Sequence, residues 1–203
     1  MPECMEGCVE GYTEAVQSLQ NYIEEALKHK KRIILVMDGK SASGKSTLAE
    51  KLTQEYGANL YHMDDFFLRP EQRTTERLAE VGGNVDYERF KEEVINPLIE
   101  GREFSYGIFD CKEQRITEQR RAGQAQLHII EGAYSMQPYF GKYYDLSVCL
   151  DIEPELQTER IRMRNGEQML TRFIEEWIPK ENAYLEQFHI MEQADIYIKC
   201  NEE

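Results

Sequence analysis

Apolar positions along this chain fall into two alternating patterns. Short, nearly continuous apolar runs occur at Ile33-Ile34-Leu35-Val36-Met37, Leu127-His128-Ile129-Ile130, Leu146-Ser147-Val148-Cys149-Leu150 and Ile196-Tyr197-Ile198. Runs of this kind, lacking a polar face, predict strands buried on both sides. Between them apolar residues recur every three to four positions. Residues 9–30 align Tyr12, Val16, Leu19, Ile23 and Leu27, and residues 46–56 align Leu48, Ala49, Leu52 and Tyr56 before Gly57, so both segments are expected to be helical. Asp86 can cap a helix that carries Phe90, Val94, Ile95 and Leu98 and ends at Gly101. Further helices are expected at 153–164 and 171–191, with Pro179 bending or starting a segment. A short strand is expected at 59–62, and strand-like aromatic content lies at 104–110. Residues 68–85 read as a mobile connection, and 111–124 as a charged loop or ribbon. Strands alternating with helices predict an α/β fold whose parallel sheet is covered on both faces.

The first apolar run leads directly into Gly39-Lys40-Ser41-Ala42-Ser43-Gly44-Lys45-Ser46-Thr47, which matches G-x-x-x-x-G-K-[ST] at every fixed position. Gly39 and Gly44 allow the backbone to wrap a polyphosphate so that successive N–H groups face its oxygens. A helix beginning near Lys45 adds its positive end. The Lys45 ammonium can neutralise the β- and γ-phosphates, and the Ser46 hydroxyl is placed to ligate Mg²⁺. The segment from Gly39 to Thr47, including Ser41, Ala42 and Ser43, is therefore expected to bind ATP.

Charge narrows the choice of partner. The 203 residues carry 38 acidic against 24 basic side chains, a net charge of −14. Such a surface repels nucleic acid and anionic membranes, so neither is expected as a partner. The length favours one domain. No apolar stretch approaches membrane-spanning length, and the segment Met1-Pro2-Glu3-Cys4-Met5-Glu6 is acidic where a secretion signal would be basic. The five cysteines (Cys4, Cys8, Cys111, Cys149 and Cys200) form no Cys-x-x-Cys pair. Their odd number predicts reduced thiols and a cytoplasmic location, with Cys149 a small core residue.

A phosphate loop identifies the donor and leaves the reaction open. Asp64 and Asp65 follow the strand at 59–62, and strand ends are where ligands of open α/β sheets gather. One of these carboxylates can accept the proton of an attacking hydroxyl or hold Mg²⁺ through water, and the other, more readily Asp65, can cap the next turn. Glu131 ends the apolar strand at 127–131, the place for a second acidic group near Mg²⁺. No Asn-Lys-x-Asp run of a guanine-specific protein is present. The non-enzymatic alternative is an ATP-binding regulatory module. The face formed by Tyr12, Val16, Leu19 and Ile23 can cover the sheet or form a contact in a homo-oligomer.

Together these elements resemble the uridine kinase branch of the phosphoribulokinase/uridine kinase family. The likeness spans about residues 32–199 and rests on several segments. These are 39–47, Met63-Asp64-Asp65-Phe66-Phe67, Asn84-Val85-Asp86, 106–110, Ile130-Glu131-Gly132, the arginines at 160–164, and Ala194-Asp195-Ile196-Tyr197-Ile198. The Asp-Asp-Phe-Phe run is also similar to that of nicotinamide riboside kinases. The resemblance implies a P-loop NTPase fold with a five-stranded parallel sheet in the order 2-3-1-4-5. In that scheme residues 1–31 are a helical extension and 32–203 the kinase domain, with a substrate-binding insertion at about 64–124 and a lid at about 158–170. It implies transfer of the γ-phosphoryl group of ATP, with Mg²⁺, to the 5′-hydroxyl of a nucleoside such as uridine or cytidine. Nicotinamide riboside, pantothenate and other hydroxylated metabolites are the alternative acceptors. Asp64 matches the general base beside Lys45, and Asp86 matches the carboxylate that grips ribose. Tyr106, Phe109 and Asp110 fall in the base-cradling segment. Arg160, Arg162 and Arg164 fall in the lid, with Arg160 and Arg164 on one helical face toward ATP and Arg162 toward the acceptor. Ser46 and Glu131 match the Mg²⁺-organising pair. Where uridine–cytidine kinases carry a base-reading histidine, this chain has Lys112-Glu113-Gln114-Arg115.

Overall fold

A computed structural model describes residues 12–200 of the chain. Positions 9–11 of the first expected helix, together with Cys4 and Cys8, lie outside the described residues. In chain order the elements begin with α1 (Tyr12–His29), β1 (Ile33–Gly39), α2 (Lys45–Tyr56) and β2 (Asn59–His62), followed by a 3₁₀ turn at Met63–Phe66. Next come α3 (Thr75–Ala79), α4 (Tyr87–Phe90), α5 (Asn96–Glu100), β3 (Ser105–Asp110) and β4 (Arg115–Arg121). The chain ends with β5 (Leu127–Glu131), β6 (Leu146–Ile152), α6 (Pro154–Arg172), α7 (Ile178–Gln187), α8 (Ile190–Gln193) and β7 (Ile196–Cys200).

Five strands form an all-parallel sheet in the order β2-β5-β1-β6-β7. Counted within that sheet alone, this is the expected 2-3-1-4-5. All seven residues of β1 are buried, and the strand's alternation divides them between two layers. Ile33, Leu35 and Met37 join Leu19 and Ile23 of α1 and Leu48 and Leu52 of α2. Ile34 and Val36 join Tyr61, Phe66, Phe90, Tyr134 and Tyr184 on the opposite face. The helix before β1 thus covers the sheet, with Leu19 and Ile23 fully buried. No helix among the described residues is long and apolar enough to cross a membrane.

Local chemistry explains several boundaries. Gly57 and Gly101 end their helices in left-handed conformation. The Asp86 carboxylate accepts the Arg89 N–H at 3.1 Å and so caps α4. Two π-helical turns, Lys91–Ile95 and Phe173–Trp177, stand just before Pro97 and Pro179. A proline has no N–H to donate and its ring crowds the preceding turn, so the ladder widens there while the helix continues.

Three segments refine the sequence expectation. Residues 68–85 contain a 3₁₀ turn (Pro70–Gln72) and α3, held by Arg77, whose guanidinium donates to Gly83 O and Val85 O and grips Glu88. Residues 111–124, left open between loop and ribbon, form β4, paired antiparallel with β3. The helix expected at 153–164 runs on to Arg172, with one non-helical break at Gly166.

Gly39 sits opposite Leu150 in the β1–β6 register, with φ of 127°. A Cβ there would lie 1.9 Å from the Leu150 carbonyl oxygen. Gly39→Ala is therefore expected to destabilise the fold by at least about 2 kcal/mol, from left-handed strain and backbone collision together. The measurement is a drop in urea midpoint at unchanged slope.

Candidate active site

The carboxyl ends of β1, β2 and β5 open into a cavity of about 920 Å³. The phosphate loop forms its floor. Left-handed Ala42 (φ 61°) and Gly44 (φ 95°) give the loop the alternating backbone that turns successive N–H groups toward an anion. No side chain caps α2, whose N-cap is Gly44. Its first-turn N–H groups therefore suit a phosphate rather than a protein oxygen. Lys45 is buried and donates to the carbonyl oxygens of Gly39 (2.9 Å) and Lys40 (2.7 Å). Ser41, Ala42, Ser43, Gly44, Lys45, Ser46 and Thr47 all line the cavity.

Three carboxylates line the cavity with the lysine. Asp64, in the 3₁₀ turn after β2, opens into the cavity. The protein around it partly desolvates the carboxyl and raises it, although the residue stays open to the cavity. Glu131 adds repulsion, while Lys45 and His62 oppose the rise. Glu131 and His62 are register partners on β5 and β2, and His62 Nδ1 lies 2.5 Å from Glu131 Oε1. The other Glu131 oxygen accepts the Ser46 hydroxyl at 3.1 Å. The third is Glu181 of α7, buried and facing the cavity. It accepts both the backbone N–H of Ser41, at 2.9 Å, and the Ser41 hydroxyl. Burial raises Glu181, with Lys45 the main opposing influence.

The neighbouring carboxylates at 64 and 65 divide their roles. Asp65 turns away toward Arg120 of β4, 3.8 Å off, while its carbonyl accepts from Arg89. Among the arginines at 160–164, Arg160 and Arg164 line the cavity and Arg160 reaches Ala42 O at 3.3 Å, whereas Arg162 pairs with Glu167 at 2.7 Å on the exposed side. The other residues of the expected acceptor cradle lie elsewhere. Asp86 is buried, with Gln72 donating to its second oxygen at 2.8 Å. Tyr106 is interior, stacked on Phe66 at 5.9 Å. Phe109 is buried near Arg73. Asp110 closes the β3–β4 turn by accepting the N–H groups of Lys112 and Glu113, which lower its carboxyl. Phe67, Asn84, Tyr134, Phe173 and Trp177 line the cavity in their place. Sequence reasoning missed His62, Glu181 and these aromatic walls. The one available signal was Glu181 and Tyr184, three residues apart on the helical face that also carries buried Leu185.

The Ser46 and Glu131 oxygens fit Mg²⁺, which takes one or two protein oxygens and completes its octahedron with phosphate and water. Among the described residues no group of three or more His, Cys, Asp or Glu side chains is arranged to hold a metal unaided.

Several solved structures are similar to this chain. A protein described as a possible uridine kinase from Bacillus stearothermophilus superposes with TM-score 0.67 at 21% identity, covering 92% of this chain and 98% of its own. A candidate fructose transport system kinase from Silicibacter sp. TM1040 gives 0.67 at 20%, covering 90% and 98%. YFH7 of Saccharomyces cerevisiae, a candidate P-loop kinase with a circular permutation, gives 0.65 at 12%, covering 96% and 100%. No family model matches the sequence, and no curated protein matches it. The likenesses show the fold: this chain is built as P-loop kinases are.

The His62–Glu131 pair makes a pH-dependent contact. Its hydrogen bond to Glu131 raises His62 above the ordinary histidine value, against the opposing effect of burial. The pair's stabilisation is therefore complete below about pH 6.5 and is lost as pH rises through the raised value. NMR titration of the imidazole is expected to give a midpoint above about 6.5 that falls in Glu131→Gln.

Proposed function

We propose that this chain is an ATP-dependent small-molecule kinase whose acceptor is a nucleoside hydroxyl. The observation that carries the reading is the position of Asp64. It opens into the cavity floored by the phosphate loop, with Lys45 and Glu131 as its charged neighbours. A hydroxyl lying between Asp64 and the terminal phosphate would lose its proton to the carboxylate as its oxygen attacks the γ-phosphorus and the bond from that phosphorus to the β–γ bridging oxygen breaks, releasing ADP. The raised state of Asp64 suits a base, because it brings the carboxylate's proton affinity closer to that of neutral solution.

The remaining residues have separable roles. On nucleotide binding, Lys45 exchanges its contacts with Gly39 and Lys40 for the β- and γ-phosphates, and the loop N–H groups hold the developing charge. Ser46 and Glu131 would hold Mg²⁺, which neutralises the phosphate oxygens when bound. Arg160 and Arg164 close the phosphate side and exclude water. The rings of Phe67, Tyr134, Phe173 and Trp177 offer flat apolar surface for an aromatic base, and Asn84 offers a polar group beside them. This lining favours a nucleoside over a purely aliphatic acceptor.

The decisive experiment incubates the chain with ATP, Mg²⁺ and a panel of nucleosides and other hydroxylated metabolites, and identifies the phosphorylated product by mass spectrometry. One acceptor is expected to stimulate ATP consumption strongly. A regulatory module would bind ATP without such stimulation. With the active acceptor, Lys45→Ala should lower turnover by roughly 10²–10³-fold and Asp64→Asn by about 10²–10⁴-fold. The acid limb of kcat/KM should lie above the ordinary aspartate range, since Asp64 must be ionised to accept the proton and its carboxyl is raised. Near-native turnover in Asp64→Asn would refute the assignment of the base.

A further inference from the structure

The helix preceding β1 contributes more than cover. A turn of only three residues (30–32) joins α1 to β1, and both pack in the same apolar layer, so the helix runs back along the strand. Eighteen helical residues span about 27 Å, whereas the seven residues of β1 span about 23 Å. The first turn of α1 therefore reaches the carboxyl end of the sheet, where the phosphate loop begins and β7 ends. The apolar layer fixes it there, because Ala15, Val16 and Leu19 of α1 share that layer with Ile198 and Cys200 of β7.

Tyr12, in that first turn, is 39% exposed and lines the cavity, as do Thr47, Arg160 and Cys200. These residues cluster about the phosphate loop. The Cys200 thiol donates to Ser43 O at 2.8 Å, and the Arg160 guanidinium reaches Ala42 O. The group to be transferred must face Asp64, which follows β2 at one edge of the sheet, whereas Cys200 ends β7 at the other. A triphosphate lying along the loop then directs its nucleoside away from Asp64, past Thr47 and toward α1. There an aromatic ring on a rigidly packed helix offers a flat apolar face.

We infer that Tyr12 stacks on the base of the donor nucleotide, so that α1 completes the nucleoside end of the donor site. The inference rests on the kinase reading for the direction of the triphosphate. Stacking of a base on an aromatic side chain is commonly worth enough that truncation to alanine weakens binding by about tenfold or more. The contact recognises the base and leaves the phosphates untouched.

Calorimetric titration of the full chain with ATP and, separately, with inorganic tripolyphosphate in the presence of Mg²⁺ tests this. Tyr12→Ala should bind ATP about tenfold more weakly and tripolyphosphate as the parent does, and Tyr12→Phe should bind both as the parent does. Retained tripolyphosphate binding also reports an intact loop, and Tyr12→Leu, which keeps apolar bulk without a ring, replaces the alanine variant if that one unfolds. Undiminished ATP affinity in the ringless variants, or equal loss for ATP and tripolyphosphate, would overturn the stacking role and leave the kinase reading standing. ATP binding that depends on Tyr12, without stimulation by any acceptor, would do the reverse. A parent chain that binds neither compound would overturn both.

Discussion

The buried carboxylate of Asp38 holds the active-site end of the molecule together. It sits at the last turn of β1, inaccessible to solvent, and receives four hydrogen bonds: from the N–H groups of Gly39 (2.6 Å), Tyr134 (3.2 Å) and Met136 (2.8 Å), and from the Tyr184 hydroxyl (2.7 Å). Burial pushes its proton affinity up, and these donors, with Lys45 nearby, push it down. Burial outweighs the donors and raises its carboxyl overall, while all four groups that face it donate and so favour its charged form. Through it the start of the phosphate loop, the segment after β5 and helix α7 share one anchor. Each of those three elements supplies a wall of the cavity: Ser41 to Thr47, Tyr134, and Glu181.

The sheet supplies the other constraint. Parallel strands end together, so β1, β2 and β5 deliver the loop, Asp64 and Glu131 to one rim without any long-range search in the loops themselves. The register of β2 on β5 sets His62 opposite Glu131 and so fixes the carboxylate that also accepts from Ser46. On the two sides of the sheet the apolar layers differ in kind. One is aliphatic and packs α1 and α2, and the other is rich in stacked aromatic rings around Phe66, Phe90 and Tyr106. The aromatic layer stiffens the floor beneath Asp64, since Phe66 lies only two residues along the same 3₁₀ turn.

What could be read from the chain itself follows from how local each requirement is. The phosphate loop is a contiguous backbone demand, so Gly39, Gly44, Lys45 and Ser46 announce it. The apolar runs located the strands, and their order came only from the resemblance to a known kinase family. Asp64 and Asp65 could be told apart only by the readiness of Asp65 to cap the next turn and by the resemblance; adjacent residues of a 3₁₀ turn point about a third of a turn apart, and Asp65 turns to Arg120 rather than to a cap. Residues 115–121 left loop and ribbon equally open because almost every side chain there is exposed, leaving no apolar alternation to decide between them. Tyr106 and Phe109 illustrate the opposite difficulty. Aromatic residues suit a ligand cradle and a packed interior equally well, and here the interior takes both. Glu181 reaches Ser41 across 140 positions of sequence, a distance over which no spacing rule operates.

The widened turn ahead of Pro179 has a consequence for the phase of α7. Glu181 and Tyr184 stand three residues apart on one face of that helix, the first on the phosphate loop and the second on Asp38. A one-residue change in the length of segment 173–177 would rotate everything beyond it by about 100°. Both contacts would swing off their targets at once. The extra residue in that turn thus acts as a gear tooth, timing a distant helix to the nucleotide loop, and natural variation in its length would be paid for in both places together.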